Sequence, residues 1–325
     1  GDDLKSNLRM FRVLQGDVGS GKTIVAMVSA INTVEAGYQC GLMAPTAILA
    51  EQHYQLLDKL ITNSGLNIKI KLLTGKTDVK KRKKILDELQ NKQIDFLIGT
   101  HALFQKTILF NKLGLIIVDE QHKFGVRQRI KFAEKGGVNC DVLLMSATPI
   151  PRTMMMSIYG DMDTSKLEEK PMHRKKILTL SKPENKIDEL WPFLAKKIKN
   201  KEQVFWVCPL IEDSKKLDFS STAKVYKIIN KKFPKKVGLI HGALDQEEKE
   251  TVLKKFLNNE ISILVATTVI EVGVDFPNAT VIVIENSNKF GLAQLHQLRG
   301  RIGRGDKSGT CILLFKNQLS QNAKK

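Results

Sequence analysis

Cysteine is scarce in this chain: four in 325 residues, at positions 40, 140, 208 and 311. They stand far apart, in or beside apolar strand-like runs, and none forms a C-x-x-C pair. Neither a disulfide framework nor a cysteine-built zinc site is indicated, and the four read as core residues of a reduced protein. Long hydrophobic runs are also missing. No stretch approaches a membrane span, and the first residues lack the charged-then-apolar layout of a secretory signal. The expectation is a cytoplasmic protein with no membrane partner. Acidic residues are too few to balance the basic ones, 34 Asp and Glu against 52 Lys and Arg, leaving a formal charge of +18. That surplus favours a polyanionic partner such as nucleic acid. The densest run, Lys80, Lys81, Arg82, Lys83 and Lys84, lies on an amphipathic helical stretch. It reads equally as a phosphate-contacting patch and as a solvated helix face.

What is present is enough apolar residue, 42%, for two cores in a chain long for one domain. Short apolar runs alternate with helical patterns, the signature of parallel sheets flanked by helices. The pattern predicts strands over 11–15, 40–44, 68–73, 95–99, 114–118 and 141–145, then over 203–207, 237–240, 261–266, 280–284 and 310–315. Helices are predicted over 48–60, 79–89, 184–199, 222–232, 246–257 and 291–299. Asp245, with Glu248 three residues on, resembles a capping arrangement. Residues 160–176 are polar, contain Pro171 and have no apolar period, so they read as a linker. The expected organisation is two α/β domains, 1–165 and 166–325, with a cleft between them and no sequence repeat relating them.

Residues 16–23 supply a complete G-x-x-x-x-G-K-[ST] loop: Gly16, Asp17, Val18, Gly19, Ser20, Gly21, Lys22 and Thr23. An apolar strand precedes it and an apolar helix follows, the context a phosphate loop requires. Its glycines let backbone N–H groups wrap close to phosphates, and the helix adds its positive end. Lys22 is suited to the β/γ-phosphates and the Thr23 hydroxyl to Mg²⁺. Further on, Asp119 and Glu120 end an apolar run, at the carboxyl edge where open α/β sheets place ligands. Asp119 is the candidate magnesium holder and Glu120 the candidate base for an attacking water. ATP and Mg²⁺ are therefore expected. Arg299, Arg301 and Arg304, on and after a second-half helix, form either a solvated face or a phosphate patch. Arg301 and Arg304, three apart around Gly303, are placed to serve one site.

The order GDVGSGKT, APTAILAEQH, IGTHAL, DEQHKFGV, MSATPIPRT, ATTVIEVGVD and QLRGRIGR resembles that of superfamily 2 helicases. Within them it closely resembles the RecG family of branched-DNA helicases, from about Phe11 onward. The related transcription-repair coupling translocases tend to have Phe at position 20, Glu at 121 and Thr at 272, where this chain has Ser20, Gln121 and Val272. The primosomal helicase is disfavoured by the lack of clustered zinc-binding cysteines.

The resemblance implies two RecA-like domains, an ATP-binding one and a helicase C-terminal one. It also implies an ATP-driven helicase or translocase that remodels stalled forks and Holliday junctions in repair and recombination, acting as a monomer. It further implies roles at single positions. Ser146 and Thr148 would couple nucleotide state to DNA grip. Pro45, Thr46, Thr100, His101, Thr267 and Thr268 would touch the nucleic-acid backbone, although a helix cap is the commoner use of a single Thr. Gln297 would lie near the phosphates, with Gly273 and Asp275 in the domain-closure motif and Arg301 and Arg304 as arginine fingers. His122 is either a bridge to the coupling motif or a structural histidine. Ala47 stands where the family tends to have Glu, Ala243 where Arg is usual, and Lys123 replaces Arg. The family's N-terminal wedge and C-terminal coupling element find no room here, so the expectation is a motor core. The other readings are a nucleotide- and DNA-binding fragment without autonomous translocation, a coupling-type translocase, and an RNA helicase.

Overall fold

The computed structural model describes residues 4, 9–16, 19–100, 103, 105, 107–119, 140–146, 163–168, 176–209, 215–267, 274, 276–303 and 307–316. The chain divides into two compact units, Gly1–Lys170 and Pro171–Lys325. The division after Lys170 falls within the stretch read as a linker, and that stretch contains a strand, Asp163–Leu167.

The first unit holds β1 (Phe11–Gly16), α1 (Lys22–Glu35), β2 (Gln39–Met43), α2 (Ala47–Ser64), β3 (Ile70–Leu73), α3 (Val79–Gln90), β4 (Phe96–Gly99), β5 (Leu113–Val118), β6 (Asp141–Ser146) and β7 (Asp163–Leu167). They form a seven-stranded sheet in the order β3-β4-β2-β5-β6-β1-β7. Every pairing is parallel. A parallel sheet is covered on both faces, so its inner strands are apolar throughout rather than alternating; β2 and β4 are buried at every residue. β7 escapes that pattern because it is an edge strand. Its residues are mostly exposed and polar, and it is tied to β1 by backbone pairing and by Arg12, which donates to Ser165 Oγ at 2.7 Å and meets Asp163 at 3.2 Å.

The second unit holds β8 (Leu178–Pro183), a 3₁₀ turn (Glu184–Glu189), α4 (Leu190–Lys199), β9 (Gln203–Cys208), α5 (Lys215–Lys232), β10 (Val237–Ile240), α6 (Gln246–Leu257), β11 (Ile263–Thr267), β12 (Ala279–Ile284), α7 (Leu292–Arg299) and β13 (Thr310–Phe315). Its six strands run β10-β11-β9-β12-β13-β8, again all parallel. The solvent-facing edge strand β8 is the second strand that the apolar pattern does not announce. Taking β8 to β13 as counterparts of β1 to β6 reproduces the first sheet's order without its seventh strand. The units are thus the same wiring used twice, although no sequence repeat marks it.

A shared device supports that equivalence. Gln39, at the start of β2 and fully buried, donates to Leu89 O and Ile94 O and accepts from the N–H groups of Asn111 and Lys112. Gln203, at the start of β9, likewise donates to Phe256 O, in α6, and to Ile261 O, just before β11. Each buried amide satisfies carbonyls at the end of the equivalent helix and the entry to the equivalent strand. The second core is built around Trp206, stacked on Trp191 at 5.7 Å between centroids, and a Phe205, Phe256 and Phe276 cluster. The four cysteines are buried thiols on or beside strands. Burial pushes Cys140 up to about 12 and Cys311 up to about 11, so neither is a thiolate at neutral pH. No described helix is long and apolar enough to cross a membrane.

Candidate nucleotide and nucleic-acid sites

The sheet order decides which motifs meet. At the carboxyl edge of the first sheet, β5, β6 and β1 are consecutive. Adjacent strands stand about 4.8 Å apart, so Asp119, Ser146 and the loop after Gly16 issue from strand ends spanning about 10 Å. Residues more than a hundred positions apart in sequence thereby share one edge. On its other side, β2 and β4 bring Pro45, Thr46 and Thr100 to that edge.

The loop is shaped for close approach to an anion. Gly21 caps α1 with φ 92°, a left-handed conformation that L side chains rarely adopt. At Gly16 the reason is space: an added Cβ would collide with Ser20 Oγ and press on Leu167 at 3.1 Å. The α1 N-terminus has no side-chain cap and no acidic residue in its first turn. Its N–H groups and helix dipole are therefore not satisfied by the helix's own side chains. Ser20 Oγ is buried without a hydrogen-bond partner. Lys22, only 9% exposed, donates through Nζ to Gly16 O at 2.7 Å, which keeps the ammonium inside the loop. An orphan hydroxyl, a glycine cradle and an enclosed cation fit a nucleoside triphosphate. Thr23 lies in α1 and Asp119 follows β5, a sparse protein donor set of the kind Mg²⁺ takes alongside phosphates and water.

Asp119 is 8% exposed, and its N–H donates to Met43 O at 2.9 Å. Its carboxylate accepts a 2.7 Å hydrogen bond from Nε2 of His53, itself 6% exposed on α2. Motif reading assigned His53 no role, although it closes the APTAILAEQH stretch; its contact with Asp119 spans 66 positions and exists only in the folded sheet. Ser146 is fully buried at the end of β6, in register with Gln15. Thr46 is the N-cap of α2, its Oγ1 accepting from Leu49 N–H at 3.3 Å. The capping use therefore applies at Thr46, and its hydroxyl proton remains available to an acceptor.

In the second unit, Gln297 is exposed on α7, while Arg301 is 7% exposed just beyond it. Thr267 ends β11 at 1% exposure with Oγ1 lacking a partner, so its hydroxyl is enclosed in this arrangement. Ala243, where an arginine is usual, donates its N–H to His241 Nδ1 at 3.2 Å. Glu285 follows β12 as Asp119 follows β5. Its N–H bonds Val207 O at 2.9 Å, as that of Asp119 bonds Met43 O. Burial raises its carboxyl above the ordinary range, against a 2.8 Å hydrogen bond from Trp206 Nε1. Asp17, Val18, His101, Glu120, His122, Thr148, Thr268, Gly273, Asp275 and Arg304 lie outside the described residues.

Comparison with known proteins agrees with this architecture. Residues 5–157 match the DEAD/DEAH box helicase family model and residues 185–306 the helicase conserved C-terminal domain. The chain belongs to the superfamily 2 helicases. Its two parallel-sheet units are RecA-like helicase domains. Among curated relatives it is similar to the ATP-dependent DNA helicase RecG of Thermotoga maritima, 48% identical over 96% of this chain and 40% of that protein. RecG of Bacillus subtilis is 47% identical over 96% of this chain and 46% of that one. The solved structure of RecG bound to a three-way DNA junction superposes with a TM-score of 0.84 at 43% identity, covering 99% of this chain and 42% of that chain. The structure of a leucine-to-valine variant of S. cerevisiae Dbp5 with RNA and ADP BeF3, 19% identical with a TM-score of 0.68 over 99% of this chain and 83% of that chain, shows the same fold. The chain spans less than half the length of the RecG proteins it matches.

Proposed function

We propose that this chain is the motor core of an ATP-driven DNA translocase that remodels branched DNA, stalled forks and Holliday junctions, in repair and recombination. It works in the cytoplasm as a monomer, with Mg²⁺ as cofactor. The observation that supports this best is the division of one sheet edge into a phosphate-loop half, with Asp119 and Ser146, and a half carrying Pro45, Thr46 and Thr100. Strand grip and nucleotide thus share a scaffold.

In this reading Lys22 exchanges Gly16 O for phosphate oxygens, and the loop N–H groups with Ser20 complete the cradle. Thr23 and Asp119 would hold Mg²⁺, which when bound would supply charge neutralisation to the phosphates. Glu120 takes the proton of the attacking water. Arg301 and Arg304 serve to meet the charge that develops on the phosphoryl group, and Gln297, Gly273 and Asp275 also serve the nucleotide. Thr46, Thr100, His101, Thr267 and Thr268 grip phosphates without reading sequence. Ser146, Thr148 and His122 link the two events.

Branched DNA as substrate is supported by similarity to RecG, one of which was solved on a three-way junction. Steady-state ATP hydrolysis at fixed low salt, with no nucleic acid, single-stranded DNA, duplex, a model fork and RNA, tests the proposal. The expected result is stimulation by DNA, greatest with the fork, that Lys22→Ala abolishes and Arg304→Ala lowers by about 10³-fold or more. Hydrolysis indifferent to DNA would make the chain a nucleotide-binding fragment, and equal stimulation by RNA would move it to the RNA helicases.

A further inference from the structure

We propose that α2 carries the DNA signal to the nucleotide site, with His53 as the positioning residue that sets the Asp119 carboxylate. This rests on reading Asp119 as a magnesium holder and Thr46 as a phosphate contact. His53 Nε2 reaches Asp119 Oδ2 at 2.7 Å, and both residues are almost enclosed. A carboxylate has about four acceptor positions, so this bond orients the group without exhausting them.

The N-terminal end of the same helix is the candidate grip. Thr46 caps α2 at its N-terminus and His53 follows seven residues later, two turns on. At about 1.5 Å per residue the two lie roughly 10 Å apart along the axis and on nearly the same face. The helix between them is a stiff connector. It is capped at both ends, by Thr46 and by Gly65, and seated through Ile48, Leu49, Ala50, Leu57 and Ile61. A phosphate drawing on Thr46 cannot shift the first turn of α2 without moving His53, and His53 cannot move without turning Asp119. The sheet reinforces this, because α2 follows β2 and β2 pairs with β5 from Gln39 to Met43. The coupling therefore has a contiguous physical carrier: cap, helix, imidazole, carboxylate.

A histidine kept only for packing would be replaceable by an apolar residue of similar volume without altering metal dependence, and this separates the two roles. In the full chain, ATP hydrolysis is followed against Mg²⁺ concentration, with and without saturating single-stranded DNA, for wild type, His53→Leu and His53→Gln. Binding of Mn²⁺ in the presence of a non-hydrolysable ATP analogue is read by electron paramagnetic resonance on the same variants and on Asp119→Asn. Removing such an orienting partner typically costs about 10–100-fold in metal affinity or activity. His53→Leu is therefore expected to raise the metal requirement by about that factor and to abolish DNA stimulation, with DNA affinity unchanged. His53→Gln, whose amide N–H can reach the same oxygen, should recover most of both.

Wild-type metal dependence and DNA stimulation in His53→Leu would overturn the proposal, as would an inactivation that His53→Gln does not recover. If Asp119→Asn leaves Mn²⁺ binding unchanged, the metal assignment itself falls and the proposal with it. If Asp119→Asn abolishes Mn²⁺ binding while His53→Leu does not weaken it, only the role given to His53 falls.

Discussion

Gln39 joins three segments through one amide group, donating to two carbonyls and accepting from two N–H groups. Leucine has nearly the same volume and none of that chemistry. Gln39→Leu orphans four backbone groups, and at about 1–3 kcal/mol each it should destabilise the first unit by roughly 4 kcal/mol or more, read as a shift in urea midpoint. Glu285 is the opposite case, a half-buried carboxyl whose charge burial makes costly. Because burial holds its folded pKa above the ordinary glutamate value, the protonated form favours the fold. Its contribution is complete below the ordinary value and is lost as pH rises through the raised one. Glu285→Gln retains an acceptor for Trp206 Nε1 and should raise the second unit's melting temperature at pH 7 more than at pH 4. An equal shift at both pH values would contradict the assignment. Neither position is marked in the sequence, because a polar residue at the end of an apolar strand carries no local sign of what it will meet.

At the scale of elements, α3 resolves the ambiguity of the lysine run into a measurable question. Its N-cap Asp78 accepts from the N–H groups of Lys80 and Lys81, yet its first turn carries no acidic residue and the run that follows is basic. Cations at a helix N-terminus oppose the macrodipole by about 0.3–1 kcal/mol each, so these lysines do not serve helix stability. The helix begins where β3 ends, next to β4 on the edge that carries Thr100, and Arg82 donates to Gln105 in the segment beyond. Replacing Lys80, Lys81 and Lys83 by Ala should stabilise α3 while weakening DNA binding. The slope of log affinity against log salt should fall by about 0.7–0.9 for each phosphate that the variant no longer neutralises. Unchanged DNA affinity would leave the run a solvated face. In α6 the reciprocal capping box of Asp245 and Glu248 is present as their spacing suggests, and Asp245→Ala should cost about 1 kcal/mol in thermal or urea unfolding.

For the whole molecule, each unit has its own parallel sheet and core, and the same strand order serves both. Residues 1–170 produced alone should therefore fold and bind Mg²⁺ with nucleotide, but fail to show DNA-stimulated hydrolysis, since Gln297, Arg301 and Arg304 belong to the other unit. Circular dichroism and a fluorescent-nucleotide titration would check the first statement and an ATPase assay the second; stimulated hydrolysis by the fragment would count against a role for the arginines. The sequence by itself determined the α/β class, the inner strands and the presence of the phosphate-loop motif. Those features are written in local periodicity and in residue types at short fixed spacings. Only the tertiary structure decided that β7 and β8 are strands, that one wiring is used twice, and that His53 holds Asp119. Edge strands facing water need no apolar pattern, strand order depends on long-range pairing, and a bond between positions 53 and 119 exists only once β2 and β5 lie side by side.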